Sequence, residues 1–279
     1  MKPAPFDLLR PATLAEAVAL IAVHKGEARL LAGGQSLVPM LNTRMISPGL
    51  LIDLNRIDEL SGVTVEESCL RIGAMTRQRQ LLADPLIAVH APLLKLACSH
   101  VGHVQTRARG TIGGSLAHAD PSAELAVACV ALNALFVVRS AHGERQVSAR
   151  QFFVAALTTD LGEDEVLTSI LIPIPVQTPV IFFEEYARRH GDFAIGSVAG
   201  QRVGSRIDIA LGALQPTPHY CEGIGSATAS GSLTPARIDD LVAKEIEALD
   251  TMEDIQASAA YRRRIGALLL RNCMRAMSV

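Results

Sequence analysis

Two pairs of adjacent glycines constrain this chain more than any other feature: Gly33-Gly34 in AGGQSL (32–37) and Gly113-Gly114 in TIGGS (111–115). Each pair abuts an apolar segment, so each backbone has to change direction while packed against a core. Glycine permits such paths because it lacks a Cβ, and it lets consecutive backbone N–H groups converge on an anion. Two such loops can grip the two phosphates of a dinucleotide from opposite sides, with Ser36, Thr111 and Ser115 adding hydroxyl donors. A single Gly-Gly pair is more often a turn and nothing else; the weight lies in having two. Neither motif matches GxGxxG or GxxxxGK[ST], so a Rossmann fingerprint and a P-loop are unsupported.

The 279 residues are 49% hydrophobic and carry a formal net charge of −2. That length buries a substantial core and exceeds the usual size of one domain, so two compact units are expected. The near-neutral charge argues against a nucleic-acid partner, which needs a basic stripe. The apolar stretches are too short to span a bilayer, and the start, MKPAPFDLLRP, lacks the apolar core of a secretion signal. Cys69, Cys98, Cys129, Cys221 and Cys273 are scattered without a CxxC pair. This pattern fits reduced thiols in the cytoplasm and argues against an iron–sulfur cluster on this chain.

Thr13 and Glu16 form a capping box ahead of a helix in LAEAVALIAVH. EARLLAGGQS reads as a buried strand entering the first glycine loop, LLIDLNRI (50–57) as a second strand and SCLRIGAMT (68–76) as a third. Thr76 is expected to cap a helix through RQRQLLADP, and PLLKLACSHVGHV (92–104) to form another. Residues 106–121 read as a long loop. A helix through ELAVACVAL follows, with Asp120 as its N-cap and Pro121 in its first turn. NALFVVRS and GERQVSAR form a hairpin around Ala141-His142-Gly143, and VLTSILIPIP is a strand ended by prolines. PIPVQTP (173–179) is the best linker, since its prolines favour an extended connection. IFFEEYARR, AIGSVAGQRV and RIDIALGAL then read as consecutive antiparallel strands. Two helices close the chain, one capped by Thr234 with Pro235 at its first position, and one with Ile265, Leu268, Leu269 and Met274 near one face. The whole reads as α+β, divided near residue 177.

Together, AGGQSLVPMLNTR (32–44) and RGTIGGSLAHADPSAE (109–124) resemble the FAD-binding medium subunit of the molybdenum hydroxylases, the family of xanthine dehydrogenase and carbon monoxide dehydrogenase. PFDLLRPATLAEAVAL, VLTSILIP and YARRHGDFA (186–194) fit the same pattern in the same order, so the resemblance spans nearly the whole chain. It implies a two-lobed FAD-binding domain of the PCMH type over residues 1–177, with subdomains of about 1–57 and 58–177. A C-terminal domain over 178–279 would follow, with a three-stranded antiparallel sheet and helices. It implies non-covalent FAD. Leu30, Leu31, Ala32, Gly33, Gly34, Gln35, Ser36 and Leu37 would wrap the pyrophosphate and adenosine side; Thr111, Ile112, Gly113, Gly114 and Ser115 would hold the pyrophosphate from the other loop. Val101 falls where the family places an apolar or aromatic neighbour of the cofactor, and Glu124 where it places a carboxylate near the adenosine. Leu167 falls near the flavin. Asp192 and Phe193 belong to the GDF segment, where Phe193 would shield one flavin face. Several members carry Lys near the place of Glu184-Glu185, which makes Arg188 or Arg189 the substitute cation. The implied partners are a small subunit with two [2Fe–2S] clusters and a large molybdenum subunit with the molybdopterin cofactor, in a dimer of heterotrimers. Electrons would run from the clusters to the flavin and on to an external acceptor. The redox chemistry would belong to the cofactor, and no catalytic side chain is implied.

Two other function classes share these loops: a free-standing FAD oxidoreductase with its own substrate site, and a non-enzymatic nucleotide-binding module. The C-terminal part, at about 100 residues, is small for a catalytic domain. His100, His103, His118 and Asp120 have metal-ligand chemistry, but histidines at loop and helix ends more often bond backbone or water. Tyr261-Arg262-Arg263-Arg264 reads as a solvated basic helix face, and Met40 and Met45 as core fillers.

Overall fold

In the computed structural model, which describes residues 2–228 and 234–278, the apolar patterning resolves into three main sheets in chain order. β1 (Asp7–Leu9), α1 (Leu14–Val23), β2 (Ala28–Leu31), α2 (Leu37–Asn42) and β3 (Leu50–Asp53) build the first, a parallel sheet of order β1-β3-β2. α1 buries Ala17, Val18 and Ile21 in its core. The Thr13 hydroxyl accepts from the N–H of Glu16 as expected, whereas the Glu16 carboxylate takes the N–H of Ala12 instead of that of Thr13.

The second unit opens with β4 (Val63–Glu66) and β5 (Cys69–Gly73). Six helices follow: α3 (Gln78–Ala83), α4 (Pro85–His90), α5 (Pro92–His100), α6 (Val104–Arg109), α7 (Ile112–His118) and α8 (Glu124–Ala131). The chain then returns through β6 (Leu135–Ser140), β7 (Gly143–Ser148), α9 (Ala149–Phe152), the small β8 (Phe153–Ala155) and β9 (Thr158–Thr159) pair, and β10 (Val166–Pro173). Its five-stranded antiparallel sheet has the order β4-β5-β10-β6-β7. Every residue of α8 after Glu124 is apolar, and a helix without a polar face has to be enclosed. Leu125 to Ala131 are all buried, between α5 on one side and the third sheet on the other.

That third sheet is formed by β11 (Val180–Tyr186), β12 (Gly196–Val203), β13 (Arg206–Gly212) and β14 (His219–Tyr220), antiparallel in that order. α10 (Glu222–Thr228), α11 (Pro235–Glu247) and α12 (Ala259–Met277) follow, with α12 crossing β12 and β11. The expected three-stranded sheet therefore has four strands. Pro216 and Pro218 hide the last of them from the sequence pattern, because proline cannot donate to a ladder; the two residues beyond them pair with Ala210 and Leu211.

Other expectations shift for local reasons. Residues 106–121 are largely helical, because the Thr111 hydroxyl caps α7 by accepting the N–H of Gly114. α8 starts at Glu124, not after Asp120, whose carboxylate takes the N–H of Ser122 in a turn. The Thr76 hydroxyl bonds both backbone groups of Gly62 and leaves Arg77 at the start of α3. The strands expected to reach 57 and 76 end at Asp53 and Gly73, and α5 ends at His100. Leu268 is half-exposed, off the buried face of Ile265, Leu269 and Met274. Arg262, expected in solvent, is 1% exposed. Its Nη1 donates to the carbonyl oxygens of Ile195 (2.7 Å) and Ala213 (2.6 Å), and its Nη2 to the Asp254 carboxylate (2.6 Å). Among the described residues, no helix is long and apolar enough to cross a membrane.

Candidate functional site

A cavity of about 1030 Å³ opens where the first parallel sheet meets α7 and α8. Its size is at the upper end for small-molecule sites, roughly 300–1,000 Å³. Ligands of parallel sheets sit beyond the carboxyl ends of the strands, and β2 runs from Leu31 directly into the glycine loop on the cavity wall. Gly34 has a φ of +73°, in the left-handed region that a side chain disfavours. A Cβ on Gly33 would lie 2.5 Å from the carbonyl oxygen of Arg109 and 2.8 Å from the Cα of Gly110, so only glycine fits this crossing of the two chain segments. The N–H groups of Gly33, Gly34, Gln35 and Ser36 donate to no acceptor among the described residues.

The second motif behaves differently. The N–H of Ile112 donates to Thr76, that of Gly113 to Ala74, that of Gly114 to the Thr111 hydroxyl and that of Ser115 to the Thr111 carbonyl. These four main-chain donors are committed, and the glycines of the motif serve close approach instead. A Cβ on Gly113 would meet the Cβ of Ala74 at 2.5 Å, and one on Gly114 would meet the Cβ of Ala32 at 3.2 Å. The second motif is thus a bare backbone surface facing the donors of the first.

One amide and one guanidinium hold the motifs together. Asn55 Nδ2 donates to the carbonyl of Ala32 (2.9 Å), Asn55 Oδ1 accepts from Arg77 Nη2 (2.5 Å), and Arg77 Nη1 donates to the carbonyl of Arg109. Sequence reading missed both residues, because neither lies in a motif and their partners are main-chain carbonyls.

Of the residues singled out in the sequence, Leu30, Ala32, Gly33, Gly34, Gln35, Ser36 and Leu37 line the cavity from one side. Thr111, Gly113, Gly114, Ser115, Glu124 and Val101 line it from the helices, and Leu167 from β10. Asp192 and Phe193 reach it from the loop after β11, with Phe193 64% exposed. Leu31 and Ile112 do not line it; Ile112 is fully buried beneath the motif. Met40 does line it, while Met45 is exposed. His118 and Asp120 are in the wall, His100 and His103 are not, and the four do not converge on a metal position. Arg188 reaches the wall, as do Ile255 and Gln256 from the segment between α11 and α12. Gln78 was also missed; it lines the cavity, and its side-chain oxygen is buried against Gly110 without a hydrogen-bond partner.

Glu124 heads α8 with its carboxylate in the wall, and burial pushes its pKa from the usual carboxylate range to about 7. The folded chain therefore holds a proton that the unfolded chain has lost between about pH 4.5 and pH 7, and stability falls as pH rises through that window. Glu124→Gln is expected to remove this loss, which is on the order of 3 kcal/mol. Urea denaturation of the cofactor-free chain on either side of the window measures it; identical pH dependence in variant and parent would refute the assignment. Further out, His100 Nδ1 lies 3.4 Å from Glu185 Oε1, and that hydrogen bond raises the histidine pKa.

Residues 4–175 match the model of the FAD binding domain in molybdopterin dehydrogenase, and residues 181–277 that of the CO dehydrogenase flavoprotein C-terminal domain. The chain is 39% identical to caffeine dehydrogenase subunit beta of Pseudomonas sp. (strain CBB1), over 96% of this chain and 92% of that one. It is 34% identical to the carbon monoxide dehydrogenase medium chain of Hydrogenophaga pseudoflava, over 99% and 98%. Its structure is similar to a chain of the carbon monoxide dehydrogenase of that organism, solved without the Mo-pyranopterin moiety of its molybdenum cofactor: the TM-score is 0.96 at 33% identity, covering 99% of this chain and 98% of that one. Against quinoline 2-oxidoreductase from Pseudomonas putida 86 the TM-score is 0.92 at 33% identity, covering 99% and 100%.

Proposed function

The chain belongs to the family of FAD-binding medium subunits of the molybdenum hydroxylases, and from that premise we propose that its cavity holds FAD as the electron outlet of a complex. Electrons arrive from [2Fe–2S] clusters on a small partner subunit and leave to an external acceptor. Substrate is oxidised on a large molybdenum subunit carrying the molybdopterin cofactor, and two such heterotrimers associate. The FAD-binding part extends to about residue 177, and the C-terminal part follows.

The observation that carries this reading is the row of four uncommitted N–H groups from Gly33 to Ser36 on one cavity wall. Converging main-chain donors suit a pyrophosphate. In this assignment Leu30 to Leu37 wrap the pyrophosphate and adenosine side, and Thr111 to Ser115 close against them. Val101, Glu124 and Leu167 complete the walls, while Asp192 and Phe193 cover the flavin end. Bound FAD supplies the redox chemistry, and the chain binds it, orients it and excludes water.

A titration of the cofactor-free chain tests this reading. FAD is expected to bind at least about a hundredfold more tightly than FMN, which lacks the pyrophosphate. Equal affinity, or no binding of either, would overturn it. Purification of the native complex checks the division of labour: the yellow chain should travel with an iron–sulfur chain and a molybdenum chain, and substrate turnover by the yellow chain alone would count against the outlet role. Asn55→Ala should weaken FAD binding about tenfold, because it frees the Ala32 carbonyl and uncouples the two motifs. Quenching of flavin fluorescence reads this directly, and an unchanged affinity would show that the motifs hold their spacing without Asn55.

A further inference from the structure

We propose that His219, Cys221 and Glu245 form a site for a zinc-class divalent transition-metal ion that fastens the edge strand β14 to α11. None of the three lines the FAD cavity, so the proposal stands independently of the flavin assignment. His219 and Cys221 flank Tyr220, whose hydroxyl donates to Asp208 (2.6 Å) and whose ring lies under Arg150 (3.2 Å). Side chains alternate along an extended backbone, so His219 and Cys221 share the side opposite Tyr220. Glu245, near the end of α11, meets them there. One ligand atom from each of the three lies within 4.8 Å of the others, and His219 Nε2 is 3.1 Å from Glu245 Oε2. Among the described residues, no other group of three such side chains converges in this way.

Imidazole nitrogen, thiolate sulfur and carboxylate oxygen are the zinc donor set. In a tetrahedral site, with bonds of roughly 2.0–2.3 Å, neighbouring donors stand about 3.5 Å apart. The His219–Glu245 spacing is close to this, and a modest inward movement of Cys221 completes it. Cys221 is 1% exposed, and the side chains of Glu245 and His219 are 11% and 25% exposed. Three protein donors leave a fourth position for water, reached from the half-buried imidazole. Gly223 makes room, since a Cβ there would lie 2.6 Å from Glu245 Oε1. Cys221 is a free, buried thiol. Binding replaces the S–H bond with a sulfur–metal bond and releases that proton to solvent, which makes affinity rise with pH.

The full chain, stripped with a chelator and titrated with Co²⁺, provides the test. One equivalent should produce the near-ultraviolet thiolate-to-cobalt charge-transfer band and the strong visible bands of a tetrahedral site, and Zn²⁺ should abolish both. Cys221→Ser should remove the charge-transfer band. His219→Gln, at a more exposed position that does not endanger folding, should weaken Co²⁺ binding at least about tenfold. Absence of the charge-transfer band from the parent chain, or its persistence at full strength in a folded Cys221→Ser chain, would overturn the proposal. FAD binding should be unchanged in both variants, which separates this outcome from failure of the flavin assignment.

Discussion

Gly33→Val is expected to yield a chain that no longer retains FAD, with affinity reduced at least about a hundredfold. The clash is between backbones. The new Cβ would meet the Arg109 carbonyl oxygen and the Gly110 Cα, neither of which can rotate away as a side-chain tip would. Relief requires the two motifs to separate, and separation moves the N–H groups of Gly33 to Ser36 away from the surface they face. Losing two hydrogen bonds to a charged group, at roughly 1.5–3 kcal/mol each, accounts for the expected loss. Gly33→Ala should fall between parent and valine variant. Flavin absorbance after desalting and a fluorescence titration measure the effect. A valine variant that binds FAD within about threefold of the parent would show that the proposed cradle is not where the cofactor sits.

Arg262→Met should lower stability by about 3 kcal/mol, and the melting temperature by roughly 5 °C for a chain of this size. Methionine fills a similar volume but donates nothing, so the carbonyls of Ile195 and Ala213 lose their partner in a buried setting. The lost contact with Asp254 acts further away. Burial tends to raise the Asp254 pKa, but hydrogen bonds from Arg262 and from the N–H groups of Gln256 and Ala257 hold it below its ordinary value. Those bonds shape the segment that brings Ile255 and Gln256 to the cavity, where Arg188 Nη2 also donates to the Gln256 carbonyl (3.1 Å). Arg262 thus anchors the backbone at Ile195, two residues after Phe193, and the segment that carries Ile255 and Gln256. Iodide should quench the bound flavin more readily in the variant, and Arg262→Lys should recover only part of the stability because an ammonium cannot span three acceptors in one plane. An unaltered melting curve would refute the anchoring role.

The glycine motifs are legible in the sequence because adjacent glycines beside apolar runs have few structural uses. Their division of labour is not legible. Whether a backbone N–H is free depends on carbonyls such as those of Ala74 and Thr76, which arrive through tertiary packing. The interior position of Arg262 is hidden for the same reason: three consecutive arginines look alike until the ends of β12 and β13 supply acceptors for one of them. Helix α8 is the opposite case. Its unbroken apolar composition announces burial, and the structure encloses it fully. Ile255 and Gln256 illustrate what local pattern cannot reach, since they join the cavity from a segment more than 200 residues away from the first motif in the chain.

The enclosure of α8 gives the proline-rich stretch 173–179 a meaning different from that of a hinge. A polypeptide cut there would carry away β12 and β13, which cover one side of α8. The cut would also orphan Asn133, which donates to Asp208 (3.0 Å), and the Pro121 carbonyl, which accepts the N–H of Ala213 (2.9 Å). The uncovered helix would present a contiguous oily surface of the kind that drives self-association. The two parts thus share one buried helix despite the visible seam between them. The helix that the outer sheet covers also starts at Glu124, in the cavity wall.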